Sequence, residues 1–403
     1  MVAPLLGPLL PAEAVRHDRR CLQRAVHRRR RERRGAAGHR RRGAGASSGH
    51  LRRISGNGEG GRMSGARVAL WVWGSAPAAR VVRLALMPLA VAYDAIVRVR
   101  AQAYRCGVLR AKRLFLPTVA VGNLSVGGTG KTPLAAWIAR RYVGWGRTPG
   151  ILLRGYGTDE PLVHRRLVPE GVVVADPDRV AGAAQARAAG ADILVLDDAF
   201  QLLSVVRDLN IAVVSAESVE GSRWPLPAGP WREGWHALAR ADVIVVTRKR
   251  ASPAAADALA RQLEQRGAGT LVCVAHLALG QLEGMQSGTR HGLAVLAGRR
   301  VLAAAGIADP DTFATQLRSL GAIVQLQAYQ DHHPYAETDL TGLVRGSAGA
   351  DYVVVTEKDA VKLRGRWPGD VPEPLVAGLA VQWERNGHML EQALDAVLRD
   401  SPR

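Results

Sequence analysis

The residues best suited to chemistry lie in the loop Ser125-Val126-Gly127-Gly128-Thr129-Gly130-Lys131-Thr132. Successive glycines let backbone N–H groups wrap an anion, and the N-terminus of a following helix adds a favourable partial charge. The expected ligand is a nucleoside triphosphate. Gly127, Gly128, Thr129 and Gly130 cradle its phosphates, the Lys131 ammonium reaches the β- and γ-phosphates, and the Thr132 hydroxyl holds Mg²⁺. The general pattern for such a loop has glycine where this chain has Ser125.

Further along, the apolar run Ala191-Asp192-Ile193-Leu194-Val195-Leu196 ends in Asp197-Asp198. Carboxylates at the C-terminal end of a parallel strand face the same crevice as a phosphate loop. They are candidate magnesium ligands, directly or through water. Asp159-Glu160-Pro161 and Asp331-His332-His333-Pro334-Tyr335 are two more polar clusters. Phosphoryl transfer to a hydroxyl needs a base on the acceptor side, and an Asp and a His from opposite walls of a cleft could supply it. On spacing alone, surface-loop charge explains both clusters. Thr356-Glu357-Lys358-Asp359 ends an apolar run and is equally explained by helix capping.

These residues need a scaffold. Leu116 to Asn123 is a β-rich run, then comes the glycine loop, then a helical pattern from Pro133 to Tyr142. That strand–loop–helix order is the context in which a glycine-rich string becomes a phosphate site. Ile151 to Leu153, Val172 to Ala175, Asp192 to Leu196, Ile211 to Val214 and Val243 to Val246 read as buried strands, with a helix over 179–189. The alternation predicts an α/β fold of the P-loop NTPase type, a mostly parallel sheet with helices on both faces. After a helix over 252–267 the pattern restarts. Leu293 to Ala297, Val301 to Ala305, Ile323 to Leu326 and Tyr352 to Val355 predict a second, smaller α/β domain. The expected division is 1–62, 63–113, 114–250 and 251–403.

Composition narrows the classes further. Of the net charge of +20, residues 1–62 contribute +12 through 16 arginines and 4 acids. With little apolar content, that stretch predicts a disordered Arg-rich extension. A start at Met63 is preferred to a nucleic-acid or membrane arm, so no nucleic-acid partner is expected. Cys21, Cys106 and Cys273 are scattered outside any metal-ligand spacing and predict neither a disulfide framework nor a zinc site. Residues 67–113 combine Trp71, Trp73 and the apolar run Leu84 to Tyr93 with many arginines. Crossing a membrane takes ~20 apolar residues, so a helix lying on the membrane surface is expected instead.

Taken together, the strings resemble one family, the tetraacyldisaccharide 4'-kinases of lipid A biosynthesis. The matching strings begin with Val121 to Pro133, Arg154-Gly155-Tyr156-Gly157, Asp159-Glu160-Pro161 and Asp197-Asp198-Ala199-Phe200-Gln201. Leu226-Pro227-Ala228-Gly229-Pro230-Trp231-Arg232-Glu233, Ala305-Gly306-Ile307, Asp331 to Tyr335 and Thr356 to Leu363 complete the series in family order. Members usually carry Gly where Ala199 stands and His where Leu202 stands. The resemblance implies transfer of the ATP γ-phosphate to the 4'-hydroxyl of a tetraacyldisaccharide 1-phosphate, giving lipid IVA. It implies work at the cytoplasmic face of a bacterial inner membrane, held there by an N-terminal helix. By position, it implies Asp159 as catalytic base with His332 as partner, Lys131 on the nucleotide, and Thr132, Asp197 and Asp198 at Mg²⁺. A partition-type ATPase switch is the main alternative for the loop. Those proteins carry an extra lysine near its start, where this chain has Val126.

Overall fold

The computed structural model describes residues 65–74, 76–155, 159–219, 223–267 and 269–399. The readings of 1–62, Met63, Tyr156 and Gly157 lie outside them. Two helices come first, α1 (Gly65–Trp73) and α2 (Pro77–Arg105). The first half of the α/β body follows as β1 (Thr118–Asn123), α3 (Lys131–Gly144), β2 (Pro149–Leu153), α4 (Asp159–Leu167), β3 (Val172–Ala175), α5 (Arg179–Ala188), β4 (Ile193–Leu196), β5 (Leu209–Ser215), α6 (Ala216–Val219) and β6 (Val243–Arg248). The rest comprises α7 (Pro253–Arg266), β7 (Leu271–Gly284), β8 (Arg290–His291), β9 (Arg300–Ala305), α8 (Pro310–Ser319), β10 (Ile323–Ala328), α9 (Glu337–Ser347), β11 (Tyr352–Thr356), α10 (Glu357–Leu363), β12 (Leu375–Arg385) and α11 (Gly387–Arg399).

One sheet runs through both halves in the order β10-β9-β11-β12-β7-β6-β5-β1-β4-β2-β3, with β8 on β7. All neighbours are parallel except β12 with β7 and β7 with β8. The long antiparallel pair β7–β12 therefore joins two parallel sets of strands. Successive strand residues point to opposite faces, and the cores follow that rule. Ile211, Val213, Val243 and Val245 pack with α3 and α11 on one face. Ala212, Val214, Ile244 and Val246 pack with α7 on the other. Helix α11 returns from the end of the chain to the first half, where full burial of Leu390 and Leu394 contributes roughly 2 kcal/mol each. The expected boundary at 250/251 falls between β6 and α7, two elements in the same core.

Leu293 to Ala297, expected as a strand, is instead a 3₁₀ turn over Leu293–Leu296. A run of five apolar residues has no period that separates a strand from a buried helical turn. Both sides of the adjacent β9 are already taken, by β10 and β11. The joining strands β7 and β12 have no counterpart among the strands expected from the sequence pattern. In α2, only Ala79 and Ala90 are buried, while Val81, Leu84, Val91, Ile96 and Val99 remain exposed. No helix among the described residues is long and apolar enough to cross a membrane.

Candidate active site

The phosphate loop joins β1 to α3, and its geometry depends on glycine. Gly127 and Gly130 have φ of 119° and 92°, a region that L side chains enter only at a cost. Side-chain donors hold the loop's oxygens. Asn123 Nδ2 donates to Ser125 O at 2.6 Å and to Thr129 Oγ1 at 2.8 Å. Thr247 Oγ1 donates to Thr129 O at 2.8 Å, and Lys249 Nζ to Gly128 O at 2.8 Å. Gln201 Nε2, donating to Asn123 O at 2.8 Å, ties the loop to the turn after β4. The string from Leu226 to Glu233 walls the loop's start, through Val126 N to Pro230 O at 2.7 Å and Arg232 N to Leu124 O at 2.7 Å.

β4 lies next to β1, so its terminal aspartates meet the first turn of α3. Thr132 Oγ1 donates to Asp197 Oδ2 at 3.2 Å, and Lys131 Nζ lies 3.5 Å from Asp198 Oδ1. Asp198 itself sits at φ 51°, an uncommon backbone state typical of functional turns. Arg232 grips both its oxygens, at 2.9 and 3.0 Å. Asp197 is buried, which alone would raise its pKa. The His164 ring, the Lys131 ammonium and the Asp198 N–H together hold it below the usual carboxylate range.

The second cluster forms across the cleft. Asp159 opens α4 and is only 3% exposed, yet it meets two groups from the far half of the chain. His332 Nδ1 lies 2.8 Å from its Oδ2 and Lys362 Nζ lies 3.2 Å from the same oxygen. Burial pushes the Asp159 pKa up, but Lys362, His332 and Lys358 bring it below its ordinary value. His332 is held at φ 60°. Lys362 and Lys358 stand on α10, whose N-cap is the Thr356 hydroxyl, accepting from Asp359 N at 3.3 Å. Lys358 faces Glu160 at 3.7 Å. The other motif histidine, His333, instead bonds Asp339 at 2.8 Å and stacks on Tyr329, so the adjacent pair divides into one ring at the cleft and one in the packing.

One helix links the clusters. His164, on α4 with Asp159, places Nε2 2.9 Å from Asp197 Oδ2 and is completely buried. The Asp159–His332 pair and the Thr132–Asp197 pair are thus fixed to one rigid element.

The family model for tetraacyldisaccharide-1-P 4'-kinase matches residues 82–399. The chain belongs to this family. A relative from Geobacter metallireducens, named tetraacyldisaccharide 4'-kinase, is 38% identical over 311 residues, covering 70% of this chain and 89% of the relative. One of the same name from Anaeromyxobacter sp. (strain K) is 35% identical over 85% of this chain and 97% of its own length. A crystal structure of the apo form of LpxK from Aquifex aeolicus in complex with ATP matches with a TM-score of 0.63 and 26% identity, covering 78% of this chain and 99% of that one. The kinase family membership makes the chain an ATP-dependent phosphotransferase with a hydroxyl acceptor. Four residues of the site were not singled out by spacing alone. Arg232, Lys358 and Lys362 sit inside strings quoted from the sequence, where charge was visible but not its partner. His164 had no sequence signal, because its partner is 33 positions away on another element.

Proposed function

We propose that this kinase moves the γ-phosphate of ATP to the 4'-hydroxyl of a tetraacyldisaccharide 1-phosphate, with the sugar entering between the phosphate loop and α10. The observation that carries the reading is α4, which brings a carboxylate–histidine pair and a nucleotide-side aspartate into one frame. Asp159 accepts the hydroxyl proton, and His332 orients it and stabilises the charge. Lys131 neutralises the transferred group. Positioning and electrostatics carry most of such catalysis.

Mg²⁺ fits the donors at Thr132 and Asp197. It is held by one or two protein oxygens together with waters and phosphates, so a hydroxyl beside a carboxylate at 3.2 Å is a suitable set. Bound there, with Asp198 as a further candidate ligand, it would neutralise charge on the phosphates. With nucleotide present, Lys131 turns from Asp198 to phosphate oxygens, while Arg232 keeps Asp198 in place.

The exposed apolar residues of α2 alternate with Arg80, Arg83, Arg98 and Arg100, a pattern suited to an anionic membrane surface. In this reading 63–113 is the membrane-facing region, 114–250 binds the nucleotide and 251–403 carries the acceptor side. The working place is the cytoplasmic face of the bacterial inner membrane.

The test is transfer of radiolabelled γ-phosphate to the lipid acceptor in mixed micelles, beside a panel of soluble sugars. Label in the lipid alone is expected. Label in soluble sugars, or in nothing but released phosphate, overturns the assignment.

A further inference from the structure

The cations lining the cleft are mostly paired. Lys131, Arg232, Lys358 and Lys362 each face a carboxylate, at 3.5, 2.9, 3.7 and 3.2 Å. Lys249 does not. Among the described residues its Nζ has the Gly128 carbonyl at 2.8 Å and no carboxylate at ion-pair distance. An ammonium has three N–H donors, so two remain beyond the one Gly128 accepts. Lys249 is half-buried and its bond to Gly128 lies at the exposed side, so the ammonium keeps access to the cleft while partial burial lowers its pKa. Asp309 and Glu217 offset part of that from a distance, while Lys358 adds to it.

The seat of this lysine is built. Glu217 Oε1 accepts the backbone N–H of Lys249, Arg250 and Ala251 at 2.7, 2.9 and 3.0 Å. Its other oxygen accepts from Ser215 Oγ at 2.7 Å. The turn after β6 is therefore fixed on the end of β5, and Thr247 in β6 holds Thr129 from the same side. A Cβ added to Gly128 would lie 3.5 Å from Lys249 Nζ, so the ammonium stands directly against the backbone that cradles phosphate.

We infer that Lys249 is a second polyphosphate cation of the nucleotide site, directing its two remaining donors at the β- and γ-phosphates from the side of the loop opposite Asp198. The inference rests on ATP binding at this loop, and its counterion is the nucleotide itself.

The experiment measures affinities of the full chain for ATP, ADP and AMP without lipid acceptor, for wild type, Lys249→Met, Lys249→Arg and Lys131→Met. Losing a charge-assisted contact predicts a roughly ten- to hundredfold weaker ATP and ADP affinity in Lys249→Met, with AMP unchanged. Lys249→Arg should recover most of the loss. An unchanged ATP affinity, or an equal loss for all three nucleotides, overturns the inference and leaves Lys249 as a tether for Gly128. If Lys249→Met does not fold, Lys249→Gln carries the same comparison: a loss for ATP and ADP with AMP unchanged supports the role, and three unchanged affinities reject it. Lys131→Met separates the two levels, since an unchanged ATP affinity there would remove the phosphate-loop reading as a whole.

Discussion

His332 Nδ1 and Asp159 Oδ2 lie 2.8 Å apart although 173 positions separate them in the chain. The contact closes the cleft between the end of β10 and the start of α4, where a hydroxyl must arrive if it is to meet a phosphate on Lys131. Asp159→Asn keeps the shape and removes the proposed base. General-base removal typically costs about 10²- to 10⁴-fold, so kcat for lipid phosphorylation should fall by that order with ATP affinity intact. His332→Ala should cost less, since the carboxylate stays. Turnover of Asp159→Asn within threefold of wild type would reject the assignment.

Lys362 is the cation that most lowers the Asp159 pKa against the effect of burial. Lys362→Met should therefore raise it. With Asp159 as the proposed base, activity needs it ionised, so the acid limb of kcat/KM should move to higher pH, with the plateau at alkaline pH less affected. A pH profile of the variant that superimposes on wild type would show that Lys362 does not set the charge of Asp159.

Gly127 and Gly130 both have positive φ, but their surroundings differ. A Cβ on Gly127 meets open space, whereas one on Gly130 falls 2.2 Å from Leu277 Cδ1, and Leu277 is fully buried. Gly127→Ala should cost only the backbone term, about 1 to 2 kcal/mol. Gly130→Ala should cost more than that and weaken ATP binding too, because Gly130 precedes Lys131. Thermal melts with and without ATP report both effects, and equal melting losses in the two variants would contradict the packing argument.

Burial alone would raise the Glu217 pKa, but the N–H groups of Ala251, Lys249 and Arg250 and the Ser215 hydroxyl bring it down to about 2. A carboxyl depressed in the folded state adds stability above its unfolded pKa and loses it as pH falls through the folded value. Glu217→Gln should therefore be less stable than wild type at neutral pH, by about 2 kcal/mol after allowance for its partial exposure. The gap should narrow between roughly pH 4.5 and 2. Chemical denaturation across that range checks it, and a gap that does not vary with pH would assign the loss to packing instead.

The glycine loop, the Asp197-Asp198 pair and most of the strands were readable along the chain, because each depends on neighbours in sequence. A phosphate loop is a local pattern of glycine, lysine and hydroxyl between a strand and a helix. A buried parallel strand is a local apolar run. The family strings named Asp159 and His332, but spacing could not pair them.

What folding alone decided is who meets whom across the cleft. His164 reaches Asp197, Arg232 grips Asp198, Lys362 faces Asp159 and Lys249 rests on Gly128. Each contact spans tens to hundreds of positions and is set by strand order, through β4 beside β1, β6 beside β5, and the β7–β12 pair that joins the two sets of strands. Strand order is fixed by which apolar faces can be buried together, a property of the whole sheet that no single segment contains.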